Sequence, residues 1–279
     1  MKKLISLLIV LCACRLGAQE LFPYTEPASN MPAKSFAVKM GAMYGKGVHS
    51  DRILQRYSPE AQFGINKNWM VHGTLTFSDM HEDYFYYESA RVYTKFRFLS
   101  NDDVHKHFRM AAFVLGSYSR NHLDHNELNL YGDQSGVQAG LIATQLWNKL
   151  AVSGTVSLIE VFDEKRGDKS LPQQYAFEAL NYSVSAGYLV LPVNYQSYKQ
   201  TNLNLYAELL GGYNLDFEYE KYYIDLAPAI QFIFNSTSKL NFGYRFQLNS
   251  DIYRLMKSSF MISYDHIFLN ALNKKRKSH

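Results

Sequence analysis

Apolar side chains recur at every second position in twelve separate segments of roughly ten residues, which is the period of a strand and not of a helix. Phe36, Val38, Met40, Ala42 and Tyr44 make the first segment, with Lys39 and Gly41 between them. Trp69, Val71, Leu75 and Phe77 are set against His72, Thr74 and Thr76. In the fourth, Ala90, Val92, Phe96 and Phe98 alternate with Arg91, Tyr93, Lys95 and Arg97. The pattern runs on to Phe260, Ile262, Tyr264 and Phe268. Such strands suit a two-layer sandwich, whose polar face meets bulk water, or a membrane barrel, whose polar face lines a lumen. Parity alone does not separate the two.

The connections do. Short polar turns stand at Asn66 to Asn68, Trp147 to Lys149 and Asn235 to Ser238, and longer connections run from Gly45 to Arg52, Arg120 to Asp133 and Val161 to Gln173. Short turns at one end and long loops at the other mark outer-membrane barrels, and twelve strands is an even number, as a single-chain bacterial barrel requires. Aromatics gather at strand ends, among them Tyr44, Tyr57, Trp69, Phe98, Phe108, Tyr213 and Phe268, where rings suit the headgroup level. The expectation is an all-β chain: a transmembrane antiparallel up-and-down β-barrel of about 12 strands over residues 35–269, in the outer membrane of a Gram-negative cell, with both termini periplasmic. Two connections, Ser100 to Lys106 and Pro192 to Thr201, belong on the short side yet are not tight. Pro59 and Pro228 lie within strands, and a bulge is expected at Pro228 because proline removes a ladder donor.

The ends set the compartment. Lys2 and Lys3, the apolar run Leu4 to Leu11 and the small Ala18 have the layout of a cleaved secretory signal over residues 1–19. Cys12 and Cys14 both lie in it, so the mature chain has no disulfide. Cys14 also sits in a loose lipoprotein box, which leaves lipidation open. Residues 20–34 are expected as a periplasmic N-terminal segment, and residues 270–279 as a basic periplasmic tail. Seven of the 29 basic residues fall in the two ends, leaving the body slightly acidic. That excludes a basic nucleic-acid face. Beyond the signal no stretch is long and apolar enough for a membrane helix.

The segment Leu21-Phe22-Pro23-Tyr24-Thr25-Glu26-Pro27-Ala28-Ser29-Asn30-Met31-Pro32-Ala33-Lys34-Ser35 resembles the opening of outer-membrane β-barrels of Bacteroidota. The ending Tyr264-Asp265-His266-Ile267-Phe268 is similar to the terminal assembly signal of outer-membrane proteins. The resemblance implies the membrane, the fold and two partners, outer-membrane lipid and the barrel-assembly machinery. It carries no catalytic residue.

No phosphate loop, dinucleotide fingerprint or paired-cysteine metal motif occurs, so no cofactor is expected. Parity turns Lys39, Glu60, His72, Arg91, Tyr93, Lys95, Arg97, Arg109, Glu208, Asp225 and Arg245 inward, because charges facing lipid cost a few kcal/mol each. These side chains either line a path for small polar solutes, anions among them, or pair with one another and close the lumen. The alternative to a channel is a non-conducting barrel whose loops bind a metal, ligand or partner. His81, His122 and His125 are the metal candidates, although no three-ligand cluster has convincing spacing. Catalysis is not expected: lipid hydrolysis on the outer wall needs a serine beside the outward His266, and none is evident from parity.

Overall fold

The computed structural model describes residues 22–48, 51–103, 106–163, 175–194 and 199–273. The signal and Cys14 lie outside the described residues, as does the tail from residue 274. The strands are β1 (Ser35–Lys46), β2 (Ile53–Gly64), β3 (Trp69–Ser78), β4 (Tyr86–Asp102), β5 (Lys106–Ser119), β6 (Gly136–Trp147), β7 (Leu150–Val161), β8 (Glu178–Leu191), β9 (Asn202–Asn214), β10 (Tyr222–Phe234), β11 (Ser238–Ser250) and β12 (Ser258–Phe268). Each pairs antiparallel with its sequence neighbours, and β1 closes on β12 from Phe36↔Phe268 to Tyr44↔Phe260. The result is a closed up-and-down barrel, which leaves no strand edge unpaired.

The outer wall follows the sequence parity. Val38, Met40, Leu75, Val92, Val114, Leu141, Val156, Val184, Leu205 and Ile230 are all exposed on it. Aromatic contacts ring both ends. Phe36 packs between Phe63 and Phe268, and Trp69 on Phe96, at the terminal end, where β1 begins and β12 ends. Tyr57 packs on Tyr44 and Phe85, and Phe77 on Tyr87, at the other.

Turns at the terminal end are tight between β2 and β3, β6 and β7, and β10 and β11, whereas β8 and β9 are separated by residues 192–201, as the sequence indicates. Asn148 adopts φ 50°, and Asn235 and Ser236 adopt 50° and 57°, left-handed values that short polar residues tolerate. The connection after β4 is tight as well, because β4 and β5 run on to Asp102 and Lys106. The sequence reading ended both strands early there. The bulge expected at Pro228 is absent. The β10–β11 ladder loses its pairs at Ala227 and Pro228 and resumes in the same register, and the irregularity lies instead between Ile224 and Asp225. Pro59 likewise interrupts only the β2–β3 ladder while pairing with Met40 of β1. A missing donor removes bonds on one side of a strand and need not displace the chain.

Candidate functional site

Inside the wall the lumen is occupied by two inserted segments. The first comprises residues 22–32, which the sequence reading placed beyond the barrel as a periplasmic stretch. Most polar anchors of this segment belong to inward strand positions, and Asn30 Nδ2 donates to the Lys67 carbonyl in the turn between β2 and β3. The Lys95 ammonium of β4 donates to Glu26 Oε2 at 3.0 Å and to the Pro27 carbonyl at 2.7 Å. Arg109 of β5 donates to Ser29 Oγ at 2.8 Å, and the Ala28 N–H donates to Thr144 Oγ1 of β6 at 2.8 Å. Glu208 of β9 accepts from the Tyr24 N–H at 2.9 Å, Thr25 Oγ1 at 2.6 Å and Ser185 of β8 at 3.0 Å. Glycine makes room for the rings. A Cβ on Gly243 of β11 would stand 2.6 Å from the Tyr24 ring. Phe22 meets Tyr206 edge-on at 5.6 Å over Gly187. Met31 packs with Ala37, Met70 and Ile267 at the terminal end. These contacts bury groups that a solvated tether would leave wet, and nearly every buried polar atom finds a partner.

The second insert is the long connection after β5, residues 120–135. Leu123, Leu128 and Leu130 are fully buried against Phe113 and Leu115 of β5, Ile142 of β6 and Ile159 of β7. From this apolar patch the connection crosses the barrel. The Glu127 carboxylate accepts from Arg254 at 2.8 Å and Arg245 at 3.1 Å, and both guanidinium groups also bind Asp225. Asp133 pairs with Arg56 of β2. Arg91 lies 4.4 Å from the Tyr131 ring centre. The signal for this arrangement is the run Met110-Ala111-Ala112-Phe113-Val114-Leu115, which is apolar on both faces of β5. Alternation counts had credited only its outer face.

A cavity of about 370 Å³ remains between the two inserts. Lys39, Glu60, His72, Arg91, Tyr93, Asp225 and Arg245 line it together with Tyr24, Glu26, Glu127, Tyr131 and Asp133. Six cationic side chains, including Arg56, Arg254 and Lys257, face five carboxylates. Arg91 Nη2 is 3.9 Å from Glu60, which also accepts from Thr74 and Gln62. Four buried donor or acceptor atoms of the lining have no protein partner among the described residues: the Tyr24 hydroxyl, His72 Nε2, the Tyr93 hydroxyl and Asn181 Oδ1. The other expected residues lie elsewhere. Lys95, Arg109 and Glu208 hold the N-terminal insert. Arg97 donates to the Lys67 carbonyl at 2.7 Å, in the turn after β2.

Of the metal candidates, His81 and His125 meet at the mouth with rings 5.7 Å apart, whereas His122 is exposed and apart from them. Strand pairing also supplies the serine that parity missed beside His266. Ser238 lies opposite it in register, with Oγ 2.7 Å from Nδ1. Among the described residues no carboxylate is bonded to that histidine, so the pair lacks the acid of a hydrolytic triad.

An outer-membrane channel from Pseudomonas putida F1 superposes with a TM-score of 0.56 over 89% of this chain and 100% of that one, at 12% identity. The fold is porin-like. The NanC porin superposes with a TM-score of 0.51 over 83% of this chain and 98% of that one, also at 12% identity. No protein-family model matches the sequence of this porin-like chain, and no curated protein matches it either.

Proposed function

We propose that this chain is an outer-membrane channel for small polar solutes, with both termini on the periplasmic side and residues 1–19 as its cleaved export signal. The carrying observation is the charged cavity held between two inserts, with His72 Nε2 and the Tyr93 hydroxyl unpartnered in its lining. A solute with donors and acceptors would satisfy groups that the wall leaves bare. The near balance of six cations and five carboxylates suits polar or weakly anionic solutes. The apolar outer wall and the aromatic rings suit contact with lipid, and assembly machinery is implied by the same location. The proposed role is passage and not catalysis.

The test is planar-bilayer recording of the mature chain and of a variant lacking residues 22–32. Steady openings that widen in the truncated form support the channel. Absence of current in both forms, with the barrel verified as folded, favours the non-conducting alternative, to which the double insertion lends its one specific support.

A further inference from the structure

The long connection after β5 and the connection between β3 and β4, residues 79–85, bring imidazole and carboxylate together at the mouth opposite the start of β1. His81 Nδ1 is 3.1 Å from Asp124 Oδ2, and His125 Nδ1 binds the other oxygen of the same carboxylate. The donor atoms of the three side chains all lie within 4.8 Å of one another. In a tetrahedral shell with metal–nitrogen bonds of about 2.0–2.1 Å, ligand atoms stand roughly 3.4 Å apart. His125 is buried, His81 is nearly so, and the Asp124 side chain is 49% exposed, which leaves a position open to solvent.

We infer that His81, Asp124 and His125 bind a divalent ion of the zinc, nickel or copper class, with solvent completing the shell. Two nitrogens and one carboxylate oxygen are the donor set that such borderline ions take, in contrast to the all-oxygen shells of calcium and magnesium.

The surroundings favour this triad over its neighbour. His81 Nε2, Glu88 and Asp133 also converge, but Arg56 already occupies those carboxylates, with Nη2 2.7 Å from Glu88 Oε1. A second cation there would meet a buried guanidinium. Asp133 serves instead as an outer partner. It lies 3.0 Å from His81 Nε2, so that nitrogen donates and Nδ1 is left to face the ion. A carboxylate behind a ligating histidine is the usual way its tautomer is fixed.

The rival state is a bridge within the protein: without metal, His81 spans Asp124 and Asp133, and an ion that takes Nδ1 replaces its contact with Asp124.

The experiment titrates Co²⁺ into the full mature chain folded in detergent, reading visible absorption, with Zn²⁺ as competitor. The expected result is one equivalent bound per chain. H81Q and D124A should each weaken binding at least tenfold, D133N by about 10–100-fold, and H122Q should leave it unchanged. D124A alters a half-exposed side chain and serves if H81Q fails to fold. No stoichiometric Co²⁺ binding by the wild type, or an equal loss in H122Q, overturns the site and leaves the bridge within the protein. The readout does not depend on conductance, so it fails or succeeds separately from the channel.

Discussion

Lys95 and Glu26 meet inside the barrel at 3.0 Å, joining the middle of β4 to a segment that enters from the terminal end. The lysine side chain is fully buried, and the glutamate side chain is 32% exposed. Removing one partner of a buried pair costs about 3–5 kcal/mol, and the partial exposure of Glu26 puts this pair at or below the lower end. K95M should free residues 22–32 and raise single-channel conductance. G243L, which drives a side chain into the Tyr24 ring, should do the same by a different contact. The swapped pair K95E/E26K should recover the wild-type current. Unchanged conductance in both single variants would show that the insert does not obstruct the path.

Arg91 should set selectivity and Arg97 should not. Arg91 lines the cavity beside Glu60, whereas the Arg97 side chain is bonded to the turn after β2. In a salt gradient R91Q should move the reversal potential toward cations, and R97Q should leave it near the wild-type value. Equal shifts would remove the cavity as the selecting region.

The second insert has a pH limit. Burial would raise the Glu127 carboxyl, but Arg254 and Arg245 outweigh it and bring the group down to about 2 from an ordinary value of 4.5. A carboxylate depressed in the folded state stabilises fully above its ordinary value and loses that contribution as pH falls through its folded one. Residues 120–135 should therefore stay docked from neutral pH to about 4.5 and loosen between there and about 2. A nitroxide on H122C reports this cleanly, since both native cysteines precede residue 20. E127Q should be loose already at neutral pH. An identical acid transition in E127Q and the parent would assign the tether to other groups.

The outer wall makes a separate demand. Leu141 is 49% exposed at the middle of β6. L141R should destabilise the barrel in lipid vesicles by about 2–4 kcal/mol, the cost of arginine near the bilayer midplane. Urea unfolding in vesicles measures it. A stability equal to the parent's would mean that this face does not touch hydrocarbon.

Alternation by itself determined the barrel: the twelve strands, their inward and outward faces and the aromatic ends are local consequences of a period of two in a chain with one apolar side. Lys39, Glu60, Arg91 and Arg245 were assigned to the lumen for that reason, and they line the cavity. What fills the lumen was decided only by the tertiary structure. Parity says which way Lys95 points, but nothing near it in sequence says that its partner is Glu26, 69 positions away. The inward Phe113 and Leu115 needed apolar cover, and only closure of the sheet brought Leu123, Leu128 and Leu130 over them. His81 and His125 likewise sit on different loops and meet because the β3–β4 and β5–β6 connections emerge at the same mouth. A strand's face is set by its own residues, whereas the contents of a closed cylinder depend on which distant segments the closure brings within reach.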